Sequence, residues 1–284
     1  QDGKARVPPL TVPRLMANAP AAHLSMAFGL QGPALTLSTA CAASNHALGL
    51  AFQMVRARLA RVMLAGGTEA MLCFGGIKAW EGLRVLSPDG CRPFSRDRNG
   101  MVMGEGAAVF VLEDRDHALA RGATILAEIA GFGMGADAGD IVQPAPEGAE
   151  RAMRAALADA GMAVEEVGYI NAHGTATVEG DPSEIEALRR VFGDQAKDLA
   201  VSSTKSTHGH LMGASGAIEA VVTVLSLRNG VVPPTANLQN IDPACEGVRH
   251  IKVGDNNQFK FKAAISNSFA FGGSNAVLVF KSVN

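Results

Sequence analysis

The sequence predicts an α/β protein with a largely buried sheet, and two observations support this prediction. Short β-branched and apolar runs alternate along the chain with segments of helical period. The 284 residues are 48% hydrophobic and 18% charged, with a formal net charge of -2. A chain of this length and composition can bury a large core. We therefore expect a globular protein of alternating strands and helices.

The first half of the chain predicts a strand, a sharp turn, a helix and three further strands. Residues 33–39 (PALTLST) form the first strand, and the turn CAAS separates it from a helical pattern at 45–59. The run VMLAGG at 62–67 is the next strand, followed by strands at 107–114 and 125–135. The turn therefore lies between a strand end and a helix start.

The second half continues the alternation, and its helices carry end signals. Gly161 closes a helix at 148–161, and Asp181 followed by Pro182 favours the start of a helix at 183–193. The other predicted elements are strands at 167–174 and 199–206, a helix at 217–230, and a hairpin of strands at 262–273 and 275–281. No segment resembles an interdomain linker, and no short-period repeat is present.

Charge and cysteine content argue against several classes of function. No uncharged apolar run of about 18 residues or more is present, so we expect no membrane insertion and a cytoplasmic protein. Lys and Arg do not cluster among aromatic residues, which argues against nucleic-acid binding. The four cysteines lack CxxC or paired-His spacing, so we expect reduced thiols and neither a zinc site nor a disulfide framework.

Cys41 lies in the turn between the first strand and the first helix, among alanines. A thiol raised on a tight turn at a helix N-terminus is expected to have a lowered pKa and to lie near backbone N–H groups that can bind an oxyanion. A buried cysteine that packs against an alanine-rich helix explains the segment equally well. A partner base must decide between these interpretations.

Two of the seven histidines lie where strands end. His173 closes the strand VGYINAHG, and His210 follows VSSTKSTHG directly before a helix. Such strand ends are where α/β sheets assemble sites. A single histidine there is more often structural, but two of them with a candidate thiol form a constellation. His208 could compete for the same role, although the order GH-L-x-G-A favours His210.

Three sequence blocks surround these residues: TACAASNHA at Cys41, NAHGTAT at His173 and STKSTHGHLMGASGAIE at His210. They resemble the signature blocks of the β-ketoacyl-[acyl-carrier-protein] synthases of the I/II type. GGTEA at 66–70, RPFSRDRNGMVMGEGA at 92–107 and SNSFAFGGSN at 266–275 match further blocks of that family. The blocks cover essentially the whole chain, and their order and spacing make the resemblance specific.

The resemblance implies a thiolase-like fold of α-β-α-β-α layers. Residues 1–115 would be the remainder of an N-terminal half carrying the nucleophile, and 116–284 a C-terminal half carrying both histidines. Compared with the family, the N-terminal part of the first half is missing from this chain. The expected partners are an acyl carrier protein and a second copy of the chain in a homodimer.

The resemblance also implies a decarboxylative Claisen condensation. Cys41 would accept an acyl group from the carrier protein as a thioester, and His173 and His210 would hold the malonyl thioester carbonyl during decarboxylation. Two imidazole N–H donors suit the negative charge that develops on that oxygen. The backbone N–H groups of Cys41 and Phe271 would form the oxyanion hole, with Phe271 also a gating aromatic. Lys205 matches the lysine near the second histidine, against the interpretation of a surface lysine.

The remaining implied site residues bind substrate or an ion. Thr175 and Thr177 would bind the phosphopantetheine arm, which is polar, neutral and suited to hydrogen bonds. No cofactor is required, because that arm arrives on the carrier protein. Trp80 falls at the acyl pocket, although a core tryptophan explains it equally well. Glu219 would pair with Lys205 or join a structural sodium or potassium ion. The other ligands of that ion would be Asn171, Ser266 and Asn267.

Three positions depart from the family pattern. His208 stands where many relatives have threonine, and Ala176 and Val178 alter the HGT-[GS]-T-P block. The STHGH variant, with AFGGSNAVL, resembles nodulation-factor ketosynthases, which elongate unusual acyl chains. A ketosynthase of a polyketide or nodulation-factor pathway is therefore an alternative function.

Three rival classes fit the sequence less well. A thiolase would use a second cysteine as base, but Cys245 lies in the loop DPACEG. A type III synthase would have asparagine in place of His210. A non-catalytic chain-length partner would lack the active cysteine, and Cys41 argues against it.

Overall fold

A computed structural model of the chain describes residues 6–283, and the chain divides into two compact units, Gln1–Ser38 and Thr39–Asn284. The smaller unit contains the helices α1 (Thr11–Leu15) and α2 (Ala19–Phe28). Gly29 ends α2 with φ +64°, a left-handed cap that glycine adopts without strain. The division predicted at residue 115 stays a prediction.

Residues 33–39 do not form the predicted strand. Across residues 6–283, no backbone hydrogen bond joins 33–38 to another segment. A β-branched run becomes a strand only when a neighbouring strand pairs with it. The composition of this segment is typical of a strand, but the described residues provide no strand that pairs with it.

The larger unit holds eight strands among its described residues. These are β1 (Val62–Glu69), β2 (Gly106–Glu113), β3 (Glu128–Ala136), β4 (Val167–Asn171), β5 (Ala200–Ser202), β6 (Arg249–His250), β7 (Ala263–Ala270) and β8 (Ser274–Lys281). Strands β1 and β2 form an antiparallel pair, and the other six form a mixed sheet in the order β3-β8-β7-β4-β5-β6. β7 and β8 are antiparallel neighbours, which confirms the predicted hairpin.

Helices cover both faces of the six-stranded sheet. The helices of the larger unit are α3 (Ala43–Arg56), α4 (Phe74–Gly82), α5 (Arg115–Ala120), α6 (Pro146–Ala160), α7 (Gly180–Phe192), α8 (Lys205–His208) and α9 (Ser215–Asn229). α6 packs on one face of the six-stranded sheet and against α7, while α3 and α9 pack between the opposite face and the β1–β2 pair. These elements form consecutive α, β, α and β layers, as the resemblance implied.

The central strands are buried on both faces because helices cover both sides. In β4, Ile170 packs into the core cluster on the α6–α7 side and Tyr169 into the cluster on the α3–α9 side. Gly133 of β3 lets α6 approach closely, since a Cβ there would lie 2.1 Å from the carbonyl oxygen of Ala152. A near-continuous apolar strand is typical of a parallel sheet covered on both faces.

The helix-end signals of the sequence were largely correct. Gly161 closes α6 with φ +61° and Gly230 closes α9 with φ +64°. Helix α4 was not predicted, because Gly75 and Gly76 weaken its helical pattern. Within residues 6–283, no helix has the length and apolar character needed to cross a membrane.

Candidate active site

Cys41 is presented by a strained turn at the start of α3. It lies in a 3-10 helix, Ala40–Ala42, that leads directly into α3. Ala40 has φ +48°, a left-handed conformation that costs energy for any residue other than glycine. Cys41 is 6% exposed. The sequence prediction of a thiol on a sharp turn before a helix is met.

His210 contacts the thiol directly. Its Nε2 atom lies 3.1 Å from Cys41 Sγ, and its Nδ1 atom lies 2.7 Å from Ser215 Oγ. The backbone N–H of Met212 donates to the same Nδ1 atom at 3.2 Å. Because Nδ1 accepts a backbone N–H, the ring proton of the neutral imidazole lies on Nε2 and is directed toward the sulfur.

His173 completes the group from the end of β4. Its ring lies 5.4 Å from the ring of His210 at 86°. Lys205 Nζ lies 3.5 Å from His173 Nδ1, so the ammonium group donates to Nδ1 and the ring proton again belongs on Nε2. One sulfur or nitrogen atom from each of Cys41, His173 and His210 lies within 4.8 Å of the others. A metal ion would need an unprotonated ring nitrogen from each histidine and a thiolate from the cysteine. The ring protons lie instead on the two Nε2 atoms, so the group consists of two N–H donors beside a thiol.

Burial sets the charge of both histidines. It lowers the pKa of His173 and of His210 well below the usual histidine value, and the nearby Lys205 ammonium lowers both further. The two rings are therefore neutral near pH 7. A neutral imidazole can donate an N–H to a substrate oxygen without a preceding proton uptake.

The predicted lowering of the thiol pKa is wrong for Cys41. Burial raises the pKa of the Cys41 thiol to about 11, and this outweighs the opposing effects of Lys205 and of two backbone N–H groups. Those N–H groups belong to Cys41 itself and to Phe271. They are the pair that the resemblance assigned to the oxyanion hole, and both lie close to the sulfur.

Lys205 and Glu219 form a fully buried ion pair beside the histidines. Both side chains are 0% exposed, and Lys205 Nζ contacts Glu219 Oε1. Burial raises the pKa of Glu219 to about 7, while Lys205 opposes that rise. The interpretation of Lys205 as a surface lysine is therefore wrong.

The residues predicted to hold a cation share one unusual feature. Each has a buried side-chain oxygen with no hydrogen-bond partner among the described residues, namely Asn171 Oδ1, Glu219 Oε2, Ser266 Oγ and Asn267 Oδ1. Asn171 and Ser266 face each other across the β4–β7 pair. Leaving such a group unsatisfied costs about 1–3 kcal/mol. Four neutral or anionic oxygens are the donor set that a sodium or potassium ion would take.

A cavity of about 370 Å³ opens beside the thiol. Its lining includes the predicted substrate residues Thr175, Thr177 and Trp80, together with Phe271, which was predicted for the oxyanion hole and as a gating aromatic. The rings of Trp80 and Phe271 stack with their centroids 5.9 Å apart, and the half-buried Trp80 both lines the cavity and packs against the buried cluster of Cys41, Met101 and Met212. His208 points elsewhere, since its ring nitrogens contact Gly209 O at 2.7 Å and Thr204 Oγ1 at 3.0 Å.

Sequence reasoning missed two residues that support the histidines. The buried carboxylate of Glu184 accepts the backbone N–H groups of His173 at 2.9 Å and Gly174 at 2.8 Å. Ser215 contacts His210 Nδ1 from the first turn of α9. A signal for Glu184 existed, because a carboxylate on the apolar face of the predicted helix at 183–193 needs partners.

Removal of the Lys205 charge is expected to slow alkylation of Cys41. The ammonium group is the largest influence that lowers the Cys41 pKa, so Lys205→Met should raise that pKa above about 11. Because the thiolate is the reactive form, the iodoacetamide rate should fall at every pH below the pKa, and its pH profile should move to higher pH. Lys197→Met, at an exposed position, is the control. An unshifted profile in Lys205→Met would contradict this electrostatic assignment.

Known families match both halves of the chain. Residues 1–118 match the family model described as "Beta-ketoacyl synthase, N-terminal domain", and residues 126–239 match "Beta-ketoacyl synthase, C-terminal domain". Nodulation protein E of Rhizobium sp. (strain N33) is 50% identical over 284 residues, covering 99% of this chain and 70% of the relative. 3-Oxoacyl-[acyl-carrier-protein] synthase 2 of Staphylococcus aureus (strain COL) is 44% identical, and the match covers 98% of this chain and 69% of that relative.

Solved structures share the fold. A beta-ketoacyl synthase from Burkholderia phymatum STM815 superposes with a TM-score of 0.94 at 38% identity, over 98% of this chain and 68% of that one. A type II polyketide ketosynthase in complex with its acyl-carrier protein, AntDE:AntF, gives a TM-score of 0.92 at 33% identity, over 95% of this chain and 68% of that one.

The layers, the Cys-His-His group and these similarities define a condensing acyltransferase of thiolase-like fold. The chain belongs to the β-ketoacyl synthase family, and the resemblance drawn from its sequence is confirmed. Nodulation protein E, the branch indicated by the STHGH block, is among its relatives.

Proposed function

We propose that the protein condenses an acyl group carried on Cys41 with a malonyl thioester, releasing carbon dioxide. The observation that carries this proposal is the contact of Cys41 Sγ with His210 Nε2 at 3.1 Å, with His173 beside it. Both rings are neutral and hold their protons on Nε2. The site therefore offers one nucleophile and two N–H donors in a water-poor environment.

Acyl transfer to Cys41 is the first step. The thiolate attacks the thioester carbonyl of the incoming acyl group, and the resulting oxyanion is bound by the backbone N–H groups of Cys41 and Phe271. The carbon–sulfur bond to the carrier then breaks, and the proton of the Cys41 thiol passes to the departing carrier sulfur, so that the carrier leaves as a thiol and the step is balanced in protons. Lys205 and the two N–H groups stabilise the thiolate of Cys41, which compensates in part for its burial.

Decarboxylation of the malonyl group is the second step. The Nε2–H groups of His173 and His210 bind the malonyl thioester oxygen, and the electron pair of the breaking C–CO₂ bond moves onto that thioester as an enolate. The enolate carbon attacks the acyl-cysteine carbonyl and expels the thiolate of Cys41. The product is a 3-oxoacyl thioester on the carrier.

The acyl carrier protein is the proposed partner, by similarity to the AntDE:AntF complex. Its phosphopantetheine arm would enter the cavity along Thr175 and Thr177, which line it. Phe271 and Trp80, stacked on each other, would gate the acyl chain. A homodimer without a resident organic cofactor is part of the proposal on the family resemblance, and so is the cytoplasmic location expected from the sequence.

The acyl chain defines two versions of this function. One is a 3-oxoacyl-[acyl-carrier-protein] synthase of fatty acid synthesis, and the other is a ketosynthase of a nodulation-factor or polyketide pathway. The similarity to nodulation protein E favours the second, and that to synthase 2 favours the first. Incubation with malonyl carrier protein and saturated or unsaturated acyl carriers of several lengths should give 3-oxoacyl products with one carbon dioxide each. Absence of any condensation product with every acyl carrier in that panel would contradict the proposal.

A monovalent cation at Asn171, Glu219, Ser266 and Asn267 is expected to stabilise the fold. The four unsatisfied oxygens support this part of the proposal, and an ion bound only in the native state raises the melting temperature. Melting should therefore occur at a higher temperature in potassium or sodium chloride than in choline chloride of equal ionic strength. Ser266→Ala should reduce that difference, whereas Ser282→Ala, outside the cluster, should keep it. Equal melting of the native protein in all three salts would refute the ion.

A further inference from the structure

Thr175 and Thr177 both line the cavity, and their hydroxyls are hydrogen-bonded to each other. Thr175 Oγ1 and Thr177 Oγ1 lie 3.0 Å apart, and the backbone N–H of Gly180 donates to Thr177 Oγ1 at 3.2 Å. One hydroxyl proton of the pair makes their mutual hydrogen bond. The other hydroxyl proton is free to donate to a carbonyl oxygen of a molecule bound in the cavity.

The turn between these threonines has an unfavourable backbone conformation. Ala176 is buried and has φ +65°, which costs a residue with a Cβ about 1–2 kcal/mol. Its N–H donates to Asp181 Oδ1 at 3.0 Å, and its carbonyl accepts from the N–H of Gly100 at 3.0 Å. Such a conformation persists only where neighbouring groups hold it.

Arg98 donates hydrogen bonds to the backbone of the same turn. Its Nε donates to the carbonyl of Thr177 at 3.0 Å and its Nη2 to the carbonyl of Val178 at 2.7 Å. The side chain is 4% exposed and also contacts the carboxylates of Asp242 and, at 3.9 Å, Asp181. Arg98 does not belong to the cavity wall, so it acts on the cavity only through the backbone of the turn.

The planar guanidinium group is well suited to this role. Its parallel N–H donors match two successive carbonyls, whereas a lysine offers a single charged point. The two carbonyls directly follow Ala176, so fixing them fixes the direction of the flanking hydroxyls.

We propose that Arg98 is a positioning residue for the phosphopantetheine arm, acting by holding the 175–178 turn so that the hydroxyls of Thr175 and Thr177 face the cavity. This proposal rests on the proposed function for the identity of the arm. Arg98 would set the binding geometry of the arm without contacting the arm itself.

Arg98→Met in the intact protein tests the proposal. The KM for malonyl-pantetheine should rise about tenfold with little change in kcat, because arm binding loses a properly directed hydrogen bond. The rate of Cys41 alkylation by iodoacetamide, a reagent too small to need the arm, should stay within about twofold. Arg98→Lys, which keeps the charge and stem, should share the defect, and it also serves if Arg98→Met does not fold.

Two further variants separate positioning from general stability. In a Thr175→Val, Thr177→Val background, Arg98→Met should raise the KM no further. In the Arg98→Met protein with both threonines present, the second substitution Ala176→Gly should restore most of the lost binding, because glycine adopts a φ of +65° freely.

Three results would overturn the role of Arg98. These are an unchanged KM in both Arg98 variants, a KM effect that persists in full without the threonine hydroxyls, and alkylation slowed as much as the KM is raised. Failure of the proposed function is distinguishable, since the native protein would then form no 3-oxoacyl product with any carrier.

Discussion

Cys41→Ala is expected to abolish condensation, with product formation reduced to background. The substitution removes the sulfur that contacts His210 Nε2 and that lies beside the backbone N–H groups of Cys41 and Phe271. Without it, no covalent acyl intermediate can form, so the reaction loses its first step and not merely a stabilising contact. The measurement is the amount of 3-oxoacyl product formed from acyl and malonyl carrier proteins.

Cys91→Ala is the matched control for this prediction. Cys91 is also buried and has a pKa raised by burial to about 11, but it does not line the cavity. Activity should survive there. A third variant, Cys41→Gln, should still decarboxylate malonyl thioester, because both histidines remain. Full condensing activity in Cys41→Ala would contradict the assigned nucleophile.

His173→Ala is expected to slow decarboxylation of the malonyl thioester by about 10²–10³-fold, the usual effect of removing one oxyanion donor. The neutral ring of His173 holds its proton on Nε2, because Lys205 donates to Nδ1. Its loss leaves the developing enolate with His210 alone. Acyl transfer to Cys41 should be much less affected, since that oxyanion is bound by backbone N–H groups. Carbon dioxide release and cysteine acylation, measured separately, check both statements.

His208→Thr is the control for the histidine prediction. The ring of His208 contacts Gly209 and Thr204 and not the thiol, so its replacement should leave carbon dioxide release nearly unchanged. Equal losses in His208→Thr and His173→Ala would show that the assay reports general damage to this region. A wild-type rate of decarboxylation in His173→Ala would remove His173 from the mechanism.

Local sequence signals predicted the fold well where an element carries its own end markers. Gly161 and Gly230 close α6 and α9 because glycine readily takes the left-handed cap, and the apolar runs at 262–281 pair as a hairpin. The segment 33–39 failed because a strand depends on a partner that its own residues cannot reveal. Helix α4 was missed because two glycines hide a helix whose conformation is set by its surroundings.

The site was predictable in identity but not in electrostatics. The motifs placed Cys41, His173 and His210 together, and the geometry shows them in contact range. The pKa of Cys41 was predicted in the wrong direction, because the helix-start argument did not include burial, which depends on the complete packing. Arg98 lies in one of the family's sequence blocks, but its hydrogen bonds to the 175–178 turn join residues about 80 positions apart and depend on the complete fold.

The most direct test of the proposed mechanism is peptide mapping by mass spectrometry after incubation of the intact protein with an acyl carrier protein substrate and no malonyl donor. The acyl mass should be found on the peptide containing Cys41 and should disappear when malonyl carrier protein is then added. An acyl group on Cys73, Cys91 or Cys245, or condensation without an acyl group on Cys41, would contradict the account.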